Sequence, residues 1–464
     1  MSKNKYSVYL VLVSVIASLG GLLFGFDIAV ISGVLPLVQQ QFSLTPAQEG
    51  WFVSSALVGC IIGVAFSGEL GDRWGRKKML VSAAVLFFIS AIGCTFFQEI
   101  SAIIIARIIG GIGIGVASII VPLYISEIAP ASIRGRLVTC YQLAITVGIL
   151  LAYLANAGLL KNALSSQQEV SGGLFHWLFI EQVWRGMFSM FVIPSLLFLI
   201  GLILVPESPR WLILKGQTPL ATKILQRISG DLEGASSEVA TIKGSLQDKQ
   251  ASYRELLAPG MRKALLLGLL LPLLSQLSGI NAIIYYGPTI LQNAGIPISE
   301  SLSSQILFGA GIVLFTFIAI WKVDHLGRRK LYLWGSAGAT IALFLTGICF
   351  YTGNTSGVWL FLSVLLFLAS FAFSIGPLKF VIAAEIFPNK IRGRAMALSI
   401  MVMWIADTIV GQITPIALRS WGTAATFWMF ATFCLIGFIV VAKLLPETKG
   451  QSLEQIEDFW KVAH

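Results

Sequence analysis

Apolar runs long enough to cross a bilayer recur along the chain at about 7–38, 50–70, 79–97, 101–125, 136–160 and 184–205. After a polar stretch they resume at about 263–294, 302–323, 331–352, 358–387, 394–420 and 424–445. A helix needs about 20 mostly apolar residues to cross hydrocarbon. The pattern therefore predicts twelve transmembrane helices in two sets of six. A β-barrel would need strands of about ten residues with alternating polarity, and none appears. The first run continues from about Tyr9 to Val38. That is too long for the apolar core of a signal peptide, so it is expected to act as the first span. Between the two sets, Glu207–Met261 is charged and carries helical spacing, as in Thr218–Ile228 and Ser237–Leu246. It reads as a short helical domain. Gln451–Val462 reads as a final amphipathic surface helix.

Composition agrees with that pattern. Hydrophobic residues make up 56% of the 464 and charged residues only 12%. A soluble chain carries about 25% charged residues, so too few are present to cover a water-facing surface. The net charge of +10 could suggest nucleic acid, but its placement argues otherwise. All but five of the 32 lysines and arginines fall in segments on one predicted side of the membrane. Lys161, Arg185 and Arg419 lie near the other side, and Arg107 and Lys379 lie within apolar segments. This is the positive-inside asymmetry, which sets orientation. Both termini and the central stretch are expected to be cytoplasmic, in a protein of the cell membrane with the lipid bilayer as its surroundings and no nucleic-acid partner. The five cysteines and three histidines form no ligand-spaced cluster, so neither a disulfide framework nor a metal or other cofactor is expected.

The two sets repeat. Asp72-Arg73-Trp74-Gly75-Arg76-Lys77 matches Asp324-His325-Leu326-Gly327-Arg328-Arg329. The segment from Glu127 through Pro130 to Arg134-Gly135-Arg136 matches that from Glu385 through Pro388 to Arg392-Gly393-Arg394. Pro206-Glu207-Ser208 matches Pro446-Glu447-Thr448. Three matched motifs in order indicate parallel six-helix repeats. The expected organisation is an N-terminal lobe over 1–206, a linker domain over 207–262, a C-terminal lobe over 263–450 and a surface helix over 451–464. Rocking of the lobes would expose a central site to each side in turn. Glu69, Asp72, Arg73, Arg76, Glu127, Arg134 and Arg136 can form an inter-helix salt-bridge network. Its counterpart is Asp324, Arg328, Arg329, Glu385, Arg392 and Arg394. Positive-inside bias does not account for the acids paired with these bases. The networks are expected to hold the outward-facing state closed on the inside and to break on opening.

Two signals are decoys. Gly110-Gly111-Ile112-Gly113-Ile114-Gly115 is glycine-rich, but no strand precedes it and it lies inside a span, so it reads as close helix packing. Asn354-Thr355-Ser356 is a glycosylation sequon in a predicted external loop. No Walker motif or catalytic constellation is present, so neither ATP-driven pumping nor an enzyme is expected.

Several of these motifs, with others, resemble the sugar porter family of the major facilitator superfamily. The residues are Gly21 through Phe24-Gly25-Phe26-Asp27, Gly71-Asp72-Arg73-Trp74-Gly75-Arg76, Arg107 with Gly110, and Pro206-Glu207-Ser208-Pro209-Arg210-Trp211. Gln276, Ser278-Gly279, Asn281, Tyr285-Tyr286, Pro288 and Pro446-Glu447-Thr448-Lys449-Gly450 complete the set. The resemblance covers essentially the whole chain, and bacterial xylose–proton symporters look most similar, including the long external loop before helix 6. It implies an all-α membrane protein with two six-helix lobes and a cytoplasmic helical domain between them.

The resemblance also implies roles. A charge at membrane depth costs at least about 2.5–3.5 kcal/mol, so Asp27 and Arg107 are expected to face each other. In proton-coupled members the acid at the Asp27 position carries the proton, and in proton-independent facilitators it resembles Asn. A static structural ion pair is the alternative. Gln142, Gln276, Asn281 and Tyr285 occupy sugar-contact positions, where amides both donate to and accept from a hydroxyl. Phe24 lines the pocket, and Phe380 and Trp404 are its aromatic walls. Taken singly, each polar residue would as readily be helix-packing glue.

Departures from the family pattern concentrate in the C-terminal lobe. Ser275 stands for a family Gln, Leu314 and Asp407 for Asn, Met403 for an amide and Phe380 for Trp. Lys379 and Asp407 add charges on neighbouring helices. They could neutralise each other, anchor a carboxylated sugar through Lys379, or form a second proton-linked element. The expected function is proton-coupled symport of a monosaccharide or polyol by a monomer. The alternatives are a sugar-acid or organic-anion symporter using Lys379, a proton-independent facilitator, and a non-transporting sensor.

Overall fold

A computed structural model describes residues 8–130, 133–166, 172–246, 261–355, 358–387, 389–447 and 449. Among them no strand occurs, and twelve helices are long and apolar enough to cross a membrane. The first six are Val8–Phe42, Pro46–Trp74, Arg76–Phe96, Ile100–Ile128, Arg134–Ser165 and Val183–Leu204. The second six are Arg262–Asn293, Ile298–Ala319, Arg328–Tyr351, Val358–Ala383, Ile391–Ser420 and Thr423–Leu444. They are called spans one to twelve below. The surface helix expected over 451–462 lies outside the described residues.

The local sequence sets where spans start and break. Thr45 and Gln48 form a reciprocal capping box at the start of span two: Thr45 N donates to Gln48 Oε1 at 2.9 Å and Gln48 N to Thr45 Oγ1 at 3.4 Å. Pro46 follows at the first helical position, where its missing N–H costs nothing. Span seven, expected as one run, is interrupted. Its halves are Arg262–Leu277 and Ile280–Asn293, and Gly279 sits between them at φ 82°. A side chain there would both strain the backbone and run into the Phe430 ring. Span ten carries a π-helical turn, Phe371–Ile375, just before Gly376-Pro377. The proline lacks the N–H that a regular turn would use, and such bulges re-aim the side chains beyond them.

Two compact units result. The first comprises Met1–Asp27, Gly59–Gly148 and Phe188–Gln250. Its spans approach through glycines. A Cβ on Gly59 would lie 2.9 Å from the Gly111 Cα, and one on Gly115 would lie 2.9 Å from the Gly63 Cα. Gly111 and Gly115 of the glycine-rich stretch in span four are therefore the face on which span two packs, while Gly110 and Gly113 of the same stretch face Ser90 and Phe87 of span three. This unit also holds the polar linker helices Pro209–Leu214, Thr218–Ser229 and Leu232–Leu246. Their own small core is Leu212, Ala221, Leu225, Ala235 and Val239, with Trp211 packed against it. The last helix begins five residues before the Ser237 expected from spacing. Asp231 Oδ1 accepts from Gly234 N, an acidic cap on the first turn that the apolar periodicity does not reveal.

The second unit comprises Ile28–Val58, Ile149–Met187 and Ala251–His464. It joins parts of spans one, two and five to the second set of six. Ser54 Oγ donates to Gln412 Oε1 at 2.9 Å, and Gln412 Nε2 donates to Ala47 O at 3.0 Å. Tyr153 Oη donates to Ile284 O at 3.4 Å. By topology these contacts lie toward the membrane face opposite the N-terminus. Arg185, 1% exposed, is stacked there between Trp184 and Trp177, 4.2 and 5.3 Å from the ring centroids.

Candidate functional site

The charged motifs form two equivalent clusters, one per repeat. In the first, Arg76 grips Glu127 with both forks of its guanidinium, Nη2–Oε1 at 2.9 Å and Nε–Oε2 at 3.0 Å. Its Nη1 reaches Asp72 Oδ1 at 2.8 Å. The Arg76 and Glu127 side chains are 6% and 4% exposed, so the bidentate pair is water-excluded, whereas Asp72 at 66% is at the surface. In the second cluster Arg328 Nη2 meets Glu385 Oε1 at 3.0 Å. The side chain of Asp324, the expected partner there, lies outside the described residues.

A third member of each cluster was visible in the sequence only as a repeated motif. Glu207 Oε1 accepts from Arg76 N at 2.9 Å and Lys77 N at 3.1 Å. Glu447 accepts from Arg328 N at 2.9 Å and Arg329 N at 3.2 Å. Each carboxylate thus sits on the N-terminus of a span, where unsatisfied N–H groups and the helix dipole favour an anion. Gly75 and Gly327, at φ 99° and 86°, leave room for them. Arg134 and Arg392 play equivalent parts too, each donating to a backbone carbonyl five residues back, Ala129 and Phe387, at 3.2–3.4 Å. Glu69, Arg73 and Arg136 are exposed and join none of these ion pairs. Arg329 donates to Ala442 O at 2.7 Å, and Arg394 is half-buried at the start of span eleven.

The first unit also holds the intramembrane acid and base. Asp27 is 6% exposed and Arg107 3%, and each lies inside a span. Arg107 is the electrostatic partner of Asp27, and its guanidinium lies 6.0 Å above the Phe188 ring. Phe26 and Phe87 both pack on Phe191, at 5.7 and 5.8 Å between centroids. Phe24 and Gln142, in the same unit, are half-buried.

The second unit gathers the remaining polar candidates. The break in span seven turns its two halves so that Asn281 Nδ2 donates to Gln276 Oε1 at 3.2 Å. This is the discontinuous-helix device by which membrane proteins present polar groups at depth. One turn further, Tyr285 Oη donates to Asp407 Oδ2 at 3.1 Å and Tyr286 Oη to Gly411 O at 2.5 Å. Trp404, Asp407 and Gly411 recur at helical spacing on span eleven, and Trp404 and Asp407 are each 1% exposed.

Lys379, beyond the π-turn of span ten, is 7% exposed and donates to Ser275 Oγ at 3.2 Å. It lies 5.2 Å from the Phe380 ring centroid and 5.9 Å from that of Phe371. Lys379 and Asp407 influence each other electrostatically, yet among the described residues no direct ion pair joins them. Of the three roles the sequence leaves open for this pair, direct neutralisation would need such contact; the hydrogen-bond partners are instead Ser275 for Lys379 and Tyr285 for Asp407. Of the partners found here, Ser275 was legible only as a departure from the family pattern, Tyr286 only as part of a motif, and Phe371 and the Gln412–Ser54 contact not at all.

A family model described as "Sugar (and other) transporter" matches residues 13–460. The arabinose-proton symporter of Bacillus subtilis (strain 168) is 42% identical over 453 residues, covering 97% of this chain and 95% of that protein. The D-xylose-proton symporter of Escherichia coli (strain K12) is 37% identical over 493 residues, covering 99% and 98%. Among solved structures, the partially occluded inward-open conformation of the xylose transporter XylE from E. coli aligns with a TM-score of 0.83 at 35% identity, covering 96% of this chain and 100% of that one.

Proposed function

The chain belongs to the sugar transporter family, and from that membership we propose that it is a proton-coupled symporter for a monosaccharide or polyol, working by alternating access. It is an integral membrane protein with the twelve-helix major facilitator fold and not an enzyme. The reading takes residues 1–206 and 263–450 as the two rocking lobes. It takes the cell membrane as the location, with both termini and the linker helices cytoplasmic.

One observation carries the coupling: a carboxylic acid, Asp27, buried at membrane depth with Arg107 as its charged partner. Burial disfavours the ionised acid and the arginine favours it. Small movements of the arginine can therefore load or release a proton. A proton crossing 100 mV yields about 2.3 kcal/mol, enough for about 50-fold accumulation of a neutral solute. Gln142, Gln276, Asn281 and Tyr285 supply the hydroxyl contacts in this reading, and Phe24, Phe380 and Trp404 the apolar faces. The two salt-bridge clusters act as gates that tighten and loosen with the lobes.

The sugar-acid alternative would need a cation without a balancing anion. Asp407, buried in the same cluster as Lys379, supplies that balance, so the neutral substrate is favoured. The test is substrate-induced proton movement in proteoliposomes with an internal pH dye, against pentoses, hexoses, inositols and sugar acids. Proton uptake with a neutral sugar is expected. Counterflow of a sugar with no proton signal would instead make the chain a facilitator.

A further inference from the structure

We infer that Lys379 and Asp407 form a charge-balanced hydroxyl clamp that selects uncharged sugars or polyols and excludes sugar acids. The inference rests on the sugar-transport reading above and narrows its substrate class.

Two buried opposite charges normally close on each other, because each loses its hydration and regains little else. These two do not. Lys379 Nζ is held by Ser275 Oγ at 3.2 Å and lies over two aromatic faces, 5.2 Å from the Phe380 centroid and 5.9 Å from that of Phe371. Asp407 Oδ2 is held by Tyr285 Oη at 3.1 Å. Each charge is thus pinned by a neutral hydroxyl. An ammonium has three N–H donors, so Lys379 keeps donors to spare. Asp407 Oδ1 is buried and, among the described residues, accepts no hydrogen bond within 3.5 Å, although the Asn281 amide, like Tyr285, favours the carboxylate from nearby. The cluster offers a surplus donor and a surplus acceptor, both charged and both out of water.

A hydroxyl group satisfies both at once, since its oxygen accepts from the ammonium while its hydrogen is donated to the carboxylate. Two neighbouring hydroxyls could share the same pair. The aromatic face of Phe380 beside the ammonium suits the C–H side of a sugar ring. A carboxylated sugar fits the ammonium but meets Asp407 as a like charge in a low-dielectric setting, where repulsion is strong. The pair therefore rewards hydroxyls and penalises anions: loss of either charge removes the preference for the hydroxyl, and loss of Asp407 also removes the penalty for anions. The role differs from a neutralising ion pair, which would need direct contact and would be indifferent to the ligand.

The experiment is counterflow of labelled D-xylose in proteoliposomes holding the full chain, competed by xylose, its single-deoxy analogues and xylonate. The unsubstituted protein should rank one deoxy analogue about 10- to 100-fold below xylose, the size of a lost hydrogen bond to a charged group, and should ignore xylonate. Asp407→Asn should weaken xylose by a similar factor, remove the penalty for that analogue, and let xylonate compete. Lys379→Gln should also erase the deoxy penalty but still exclude xylonate. Gain of xylonate competition cannot come from a damaged fold, and Lys379→Gln carries the test if Asp407→Asn does not reconstitute. If both variants keep the parent ranking and still exclude xylonate, the clamp is wrong although the transport reading stands. The clamp is also wrong if the unsubstituted protein prefers xylonate. If that protein shows no counterflow of any neutral sugar, the transport reading fails and takes the clamp with it.

Discussion

Replacing Gly50 by alanine tests whether the contacts around Gln412 are one of the seals of a transport cycle. Gly50 lies near the start of span two, against span eleven within the same compact unit. An added Cβ would sit 2.9 Å from Gln412 Nε2 and 3.1 Å from its carbonyl carbon, and closer still to the carbonyl oxygen. Most of that obstacle is backbone, so no rotamer change relieves it. The two helices must separate by about half an ångström or more, at about 1–3 kcal/mol for overpacking. Separation also stretches the Ser54–Gln412 and Gln412–Ala47 hydrogen bonds, 2.9 and 3.0 Å long, each worth about 0.5–1.5 kcal/mol. Together the closed arrangement loses about 2–6 kcal/mol, which lowers its population about 30-fold or more relative to a state in which these ends are apart. The assay compares sugar binding to the purified variant with counterflow in proteoliposomes. Binding is expected to survive while counterflow falls at least tenfold. Ser54→Ala, which removes one bond and adds no bulk, should slow counterflow less than tenfold. A Gly50→Ala protein that exchanges sugar at the parent rate would refute the idea that these ends must close.

Other consequences follow from the burial and bonding of particular groups. Glu127→Ala leaves Arg76 buried without its bidentate partner, so thermal unfolding in detergent should show a loss of about 3–5 kcal/mol. Asp72→Ala, removing a surface partner, should cost less than about 1 kcal/mol by the same measurement. Gln305 is 1% exposed and, among the described residues, neither end of its amide has a hydrogen-bond partner. Gln305→Leu, of similar volume, should therefore be neutral or raise stability by about 1–3 kcal/mol, and a clear fall in the unfolding midpoint would contradict that assessment.

The spans were legible because length and apolarity alone decide whether a helix can cross a bilayer, and both are properties of a run of sequence. The repeated charge motifs were legible for a similar reason, since Asp72 and Arg76 are only four residues apart across the turn at Gly75 and Glu127 recurs at a matched place. What escaped depends on where separate helices meet. Glu207 and Glu447 cap the N-termini of spans three and nine from more than a hundred residues away, and their own surroundings in sequence carry no sign of it. The partners of Lys379 and Asp407 lie beside two helix irregularities: Lys379 follows the π-turn at Phe371–Ile375, and Ser275 and Tyr285 flank the break at Gly279. Each irregularity changes which way the residues beyond it face, and apolar periodicity along a run does not reveal it. The linker helix starts at Leu232, earlier than the apolar spacing from Ser237 indicates, because its first turn is held by the Asp231 cap.

The coupling role of Asp27 is the centre of the account, and Asp27→Asn separates it from a structural role. The amide keeps the size of the side chain and cannot carry a proton. Counterflow of D-xylose or arabinose, which needs no proton gradient, is measured beside uphill accumulation driven by an imposed gradient, in the same proteoliposomes. Exchange is expected to persist while accumulation and sugar-induced proton uptake disappear. Accumulation retained at the parent level in Asp27→Asn would contradict the coupling role.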